Sequence, residues 1–224
     1  MSTLVFSDTH FTKKFHQRQF DALKKLISES DKIIINGDFW EGFSISFDEF
    51  LKSEWNKLFP LLKQKDTVYI YGNHDDKVFS DNRIYQFCNK AADEYCMDTP
   101  KQKYLFRHGQ DILFPKYSHD RHQKNIKRAG SFWIKMYIKI TRFIQNTIFN
   151  LLGAYALPFF FNYISKDLRN KTSSLQYLLV CGHTHRPYLN KKNNFIDTGF
   201  FDYGWANYLI IDDLGNFTIV NERY

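Results

Sequence analysis

Residues 67–75 read TVYIYGNHD. Five β-branched and aromatic residues run into a glycine and then into three side chains that can hold a cation or a proton. The same construction recurs at 32–38 (KIIINGD) and 177–185 (YLLVCGHTH); at 3–10 (TLVFSDTH) the run enters ligand-type residues without a glycine, and at 104–109 (YLFRHG) the glycine follows the histidine. Short apolar runs of this kind read as buried strands. Between the first three lie stretches of helical periodicity: residues 17–28 place Phe20, Leu23, Leu26 and Ile27 on one face, and residues 47–63 form a second helical stretch that Pro60 interrupts. Strand, helix, strand, helix, strand is the signature of a parallel sheet in an α/β fold. After Arg186 the character changes to short strands and hairpins at 195–197, 208–212 and 217–221, with a turn at 214–216.

The chain has 224 residues, 43% hydrophobic and 25% charged. This balance excludes disorder over most of the length and suits one domain spanning 1–224. Cys88, Cys96 and Cys181 form no CxxC pair and leave one over, which favours a reducing compartment, with Cys181 read as core. Residues 1–5 pass directly into a strand without a basic and apolar leader, so a cytoplasmic location is expected. The net charge of +7 is concentrated: residues 116–171 carry eleven basic and two acidic side chains, and the rest of the chain is slightly acidic. The same segment holds Phe132, Trp133, Tyr137, Phe143, Phe149 and the run Phe159, Phe160, Phe161. Lys135, Lys139 and Arg142 share one helical face, so a basic amphipathic helix is expected there, with an anionic and partly apolar partner. Residues 143–165 lack charge, but Gln145, Asn146, Asn150, Asn162 and Pro158 argue against a membrane span. A helical insertion or lid lying on a membrane surface, or packed over the main domain, is the expectation.

Five blocks stand at or just after strand ends, where α/β folds place their sites: Asp8-Thr9-His10, Gly37-Asp38, Gly72-Asn73-His74-Asp75, His108-Gly109 and Gly182-His183-Thr184-His185. Their carboxylates, amide and imidazoles are the mixed oxygen and nitrogen set that borderline divalent metals prefer. His108 is chosen by its position after a strand, with His119 and His122 as nearby competitors; Trp40 and Glu41 border the cleft or simply pack.

In this order the blocks resemble the pattern of the calcineurin-like metallophosphoesterases: DxH, GDxx, GNH(D/E), a later His, and GHxH. The resemblance spans residues 8 to 185. It implies a four-layer α-β-β-α sandwich, here with a helical insertion at 116–171, and a binuclear site at one edge. One metal would take Asp8, His10, Asp38 and His185; the other would take Asp38, Asn73, His108 and His183, with Asp38 bridging. The cofactors implied are two divalent ions, manganese first, with iron or zinc as alternatives. Hydroxide held between them would attack phosphorus while His74 protonates the leaving oxygen or stabilises developing charge, and Asp75 would orient His74.

Within the superfamily, residues 37–42 (GDFWEG) depart from the phosphoprotein phosphatase pattern GDxVDRG, and 39 residues after His185 leave no room for the second domain of a 5'-nucleotidase. The architecture is most similar to the UDP-2,3-diacylglucosamine diphosphatases, which carry a basic, apolar helical insertion before a GHTHRP sequence, here residues 182–187. That group carries Arg where this chain has His74, so the third block is of the general phosphodiesterase kind. The resemblance implies hydrolysis of a phosphodiester or pyrophosphate bond, with a lipid-linked nucleotide as the lead substrate and peripheral membrane contact through 116–171. A nucleic-acid phosphodiesterase and a non-catalytic scaffold are the alternatives, and an oligomer interface is the alternative use of the insertion's aromatics.

Overall fold

β1 (Ser2–Phe6), β2 (Lys32–Asn36) and β3 (Val68–Ile70) are apolar runs buried on both faces, and they lie side by side and parallel in a computed structural model of the chain. The structure describes residues 2–113, 124, 126–154 and 176–224. His119, His122 and the remainder of the 116–171 insertion, including Phe159 to Phe161, lie outside the described residues.

The first sheet has the order β10 (Phe201–Asp202), β11 (Trp205–Asp212), β1, β2, β3, β4 (Lys90–Ala92), and β12 (Phe217–Arg223) pairs with β11. The second has the order β5 (Glu94–Asp98), β6 (Lys103–Arg107), β7 (Leu178–Cys181), β9 (Phe195–Thr198), β8 (Pro187–Asn190). Because strand side chains alternate, each sheet has two apolar faces to cover. Val5, Ile34, Val68 and Ile70 meet Tyr104, Phe106, Val180 and Ile196 between the sheets. The other face of the first sheet, with Leu4, Phe6, Ile33 and Ile35, packs on α1 (Gln17–Glu29), α2 (Phe47–Leu51) and α3 (Phe59–Gln64). Outside the second sheet, Leu179, Cys181 and Phe195 pack on Ile112 of α4 (Gln110–Leu113). Helix, sheet, sheet, helix is the layer order expected from the motifs.

One local expectation needs correction, and two details that the sequence left open are resolved. Pro60 does not interrupt a helix: it stands in the first turn of α3, after a 3-10 turn at Glu54–Leu58, where a missing N–H costs nothing. β4, β5, β8 and β10 carry no strong sequence signal. They are two to five residues long, and β5 (EYCMD) is only half-buried because it is a sheet edge. Trp40 does not border the cleft; it is fully buried, its ring stacked on Phe50.

In the basic segment one long helix, α5 (Phe132–Leu152), begins at Ser131, whose Oγ accepts the Ile134 N–H, and ends at Gly153 with φ +82°. It docks through Ile138 and Phe149, the latter stacked on Phe200 and Tyr203. The Trp205 indole donates to the Phe149 carbonyl, and the Tyr203 hydroxyl bonds the Gln145 side chain. Lys135 and Lys139 are exposed, as an amphipathic helix requires. Arg142, on the same face, instead turns inward to Asp202 at 2.6 Å. Among the described residues no helix is long and apolar enough to cross a membrane.

Candidate metal centre

The loops after β1, β2, β3, β6 and β7 converge because backbone pairing continues past the strand ends. The Asp8 N–H donates to the Gly37 carbonyl, that of His10 to Asp38, that of Gly42 to His74, and that of Gly182 to His108. Asp8 Oδ2 then accepts the His183 N–H at 3.0 Å, tying the first sheet's loops to the second's. The geometry is demanding. Asp8, His10, Asp38, His183 and His185 all adopt positive φ, between +44° and +72°, a region that disfavours L-residues by about 1–2 kcal/mol each. Two glycines make the approach possible. A side chain on Gly72 would overlap the Asp38 carboxylate, and one on Gly37, at φ +88°, would overlap the His108 ring.

Besides the group of His10, Glu41 and His74, two clusters of ligand-type side chains result. Asp8, His10 and His185 form one: His185 Nε2 lies 3.2 Å from Asp8 Oδ1, and the His10 and His185 Nε2 atoms are 3.1 Å apart. Asp38, His108 and His183 form the other, with His108 Nε2 3.1 Å from Asp38 Oδ2. Asp38 also reaches the first cluster, its Oδ2 being 3.8 Å from His10 Nε2. The Asn36 carbonyl accepts from His108 Nδ1 at 2.9 Å, which fixes one proton there and turns Nε2 toward the site. Asn73 is buried beside the second cluster's carboxylate, whose Oδ1 accepts the adjoining His74 N–H.

The donor set fits divalent cations on an observation of this structure: Asp8 Oδ1, Asn73 Oδ1 and His108 Nε2 are buried without any hydrogen-bond partner. Such atoms are costly unless something compensates them. Protons do part of that work. Burial opposes charge on Asp8 and Asp38, but His108 and its neighbours hold both carboxyls well below their usual range. In return, burial is outweighed at His108 by Asp38 and Asp8, which push it up to about 10, and His10 is raised well above its ordinary value against burial, chiefly by Asp8 and Glu41. His183 is driven down to about 3 by burial and then by the charge on His108. A cation bound among these atoms would replace the protons that the histidines otherwise take up.

His74 is partnered differently from the sequence expectation. Its Nδ1 lies 2.8 and 2.9 Å from the two carboxylate oxygens of Glu41, not near Asp75. The Asp75 carboxylate faces away from the cleft and accepts three backbone N–H groups, from Asp38 at 3.0 Å, Phe39 at 2.6 Å and Gly72 at 2.7 Å. It is a brace for the loops that carry Asp38 and Asn73, and burial with the charge of Asp38 pushes its carboxyl up to about 6. Glu41 also faces His10 Nδ1 at 3.4 Å, so one buried carboxylate touches a ring in the first cluster and the ring outside it. The sequence signal for Glu41 was slight: an acid three residues after Asp38, whose partner lies 33 residues further on.

Beside the first cluster and the His74–Glu41 pair is a cavity of about 190 Å³. His10, Glu41, His74 and His185 line its floor; Ile134, Tyr137, Ile138, Thr141, Arg142 and Gln145 of α5 form its roof. Arg142 is tied in by its bond to the His10 carbonyl at 3.2 Å.

A solved archaeal phosphodiesterase shares the fold at 14% identity, with 99% of this chain and 100% of that one covered and a TM-score of 0.52. Yfce, a phosphoesterase from E. coli, aligns at 15% identity over 95% of this chain and 89% of its own, TM-score 0.48. Vps29 of Entamoeba histolytica, solved with zinc, aligns at 11% identity over 100% and 99%, TM-score 0.45. No curated protein sequence matches. The family model for calcineurin-like phosphoesterases matches residues 1–187, which include every one of the five blocks. On that match, and on the side chains gathered at the edge of its two sheets, this chain belongs to the calcineurin-like phosphoesterase family and is a hydrolase of phosphoesters.

Proposed function

We propose that the chain hydrolyses a phosphodiester or pyrophosphate bond with two divalent cations, manganese first and iron or zinc as alternatives, in a substrate whose other end is apolar. A lipid-linked nucleotide of the UDP-diacylglucosamine kind fits that description. The observation that carries this reading is the cavity, polar and charged on its floor and apolar along much of its α5 roof.

Asp8, His10, Asp38 and His185 would hold one cation, and Asp38, Asn73, His108 and His183 the other. When bound, such a pair neutralises phosphoryl oxygens and lowers the pKa of water. The chain's own residues do the rest. Burial disfavours the Glu41 carboxylate, but His74 and His10 bring it to about 2, so it is an anion that accepts from His74 Nδ1. That bond fixes the ring and leaves Nε2 to deliver a proton to the leaving oxygen. Asp75 holds the amides of residues 38, 39 and 72, keeping the Asp38 carboxylate aimed between the clusters. Ile134, Tyr137 and Ile138 exclude water from the space above and offer apolar surface to an acyl or other greasy group.

The outer side of α5 supports a peripheral membrane contact. Phe132, Trp133, Ile144 and Leu151 are exposed there, Trp133 at 72%, beside the exposed Lys135. Aromatic and aliphatic side chains mixed with lysine suit the interface of an anionic bilayer.

The test is to load the protein with manganese, iron or zinc and assay a nucleoside-diphosphate lipid, bis(4-nitrophenyl) phosphate and single-stranded DNA, counting bound ions. Two ions per chain and preferential cleavage of the lipid-linked diphosphate are expected. A chain that binds no ions and stays inert with all three overturns the reading; DNA cleavage with steep salt dependence transfers it to a nucleic-acid phosphodiesterase.

A further inference from the structure

A second, larger cavity of about 590 Å³ lies between the start of α1 and the solvent side of α5, well within the range of roughly 300–1,000 Å³ usual for small-ligand sites. Four permanently cationic side chains line it, Lys14, Arg18, Lys139 and Arg142, against one acidic side chain, Asp202. Asp202 is already engaged by Arg142 at 2.6 Å. Among the described residues Lys14, Arg18 and Lys139 have no ion-pair partner, and they come from two separate stretches of chain, the start of α1 and α5. Like charges converging on one hollow without a counter-charge repel one another, and an anionic ligand relieves that repulsion. His16, on the same wall, is held below its ordinary value chiefly by burial, with Asp202 opposing and Lys14 and Arg142 adding to the shift. The cavity is not purely electrostatic: Phe143, Tyr203 and Tyr224 give it flat apolar surface beside the charges.

Its position relates it to the metal centre. Arg142 and Tyr203 line both cavities, the guanidinium lying 5.4 Å from the centre of the Tyr203 ring. They form a shared partition, one residue thick, between the floor of metal ligands and the basic hollow.

We propose that this basic cavity is a second anion subsite, taking a phosphate-class group that the substrate carries beyond its scissile phosphorus. The inference rests on the phosphoesterase reading above and narrows it: the substrate has two anionic groups, one over the clusters and one beyond the Arg142 partition.

Two measurements test it, on the wild type and on a Lys14→Ala/Arg18→Ala/Lys139→Ala variant, none of these residues belonging to the metal centre. A control variant, Lys25→Ala/Lys191→Ala/Lys192→Ala, removes the same charge from distant exposed positions. In calorimetric titration with tripolyphosphate, the cavity variant is expected to bind about tenfold more weakly than the wild type, the control and Asp38→Asn. Equal binding by all four proteins, at an unchanged melting temperature, overturns the subsite. In turnover, thymidine 5'-(4-nitrophenyl phosphate) is compared with the same ester bearing a 3'-phosphate. The extra phosphate is expected to lower KM about tenfold in wild type and control, and not in the cavity variant, with kcat unchanged throughout. A KM advantage that survives in the cavity variant, or tripolyphosphate binding there with no KM advantage in wild type, overturns the assignment to substrate. If neither ester is cleaved in any protein, the phosphoesterase reading fails, while the titration still decides whether the cavity binds anions.

Discussion

The floor of the site and the helix that roofs it are built on opposite principles. On the floor nearly every polar atom is buried, five ligand-type residues sit at positive φ, and the backbone of each loop is bonded to the next. The roof, α5, is attached through Ile138, Phe149, Arg142 and a few hydrogen bonds, and leaves most of its large apolar side chains exposed. A preorganised floor serves chemistry, where small displacements are costly. A lightly held roof serves recognition, since it can change composition without disturbing the ligands beneath it.

The contrast can be broken at several points. Asp38→Asn, which removes the carboxylate shared by both clusters, is expected to abolish turnover of every phosphoester and to lower the bound-ion count; turnover at the wild-type rate would show that the clusters are not the site. His74→Ala is expected to lower kcat by about 10²–10⁴-fold with the ion count unchanged, and Glu41→Gln by about 10- to 100-fold. Asp75→Asn separates orientation from bracing: it keeps two of three accepted amides and turns an NH2 toward the Phe39 N–H, so a loss of about 1–3 kcal/mol in denaturant unfolding is expected. If Asp75→Asn instead left stability intact and lowered kcat as His74→Ala does, the assignment of Glu41 as the orienting acid would be wrong.

Acidity offers a subtler probe of the floor. His108 is raised from 6.5 to about 10, so in the metal-free protein its pairing contributes stability that is complete below pH 6.5 and lost as pH climbs through about 10. Thermal unfolding of metal-free protein should therefore weaken over that window, and saturating metal should flatten the dependence, because a ligating imidazole is already deprotonated. A pH-independent melting curve without metal would count against the protonated network. The smallest effect belongs to the roof. Phe132→Ser with Trp133→Ser should change unfolding free energy by less than about 0.5 kcal/mol while weakening sedimentation with anionic vesicles. Unaltered sedimentation would leave the exposed face without a membrane role.

Much of the floor was legible before any coordinates. A strand ending in ligand-type residues, in most cases beside a glycine, is a local pattern, and Asp8, His10, Asp38, Asn73, His108, His183 and His185 each sit in one. Their neighbours were less legible. Asp75 stands next to His74 in the chain, and adjacency suggested partnership. Yet successive residues in a tight loop point apart, and the partner of His74 came from the loop after β2. Likewise Arg142 shares a helical face with Lys135 and Lys139, and only the presence of Asp202 on β10 decides that it turns inward while they do not.

By itself the amino-acid order determined which strands would be buried, where the ligand-bearing loops begin, and that a basic, aromatic helix interrupts the second half of the chain; these depend on hydrophobic period and residue type within a few positions. Tertiary structure alone decided that Glu41 rather than Asp75 holds His74, that α5 roofs the cavity beside His10 and His185, and that Lys14, Arg18 and Lys139 face one hollow. Those outcomes depend on hydrogen bonds and charges between groups tens to more than a hundred residues apart, and such energies exist only once the two sheets have brought the groups within a few ångströms of one another.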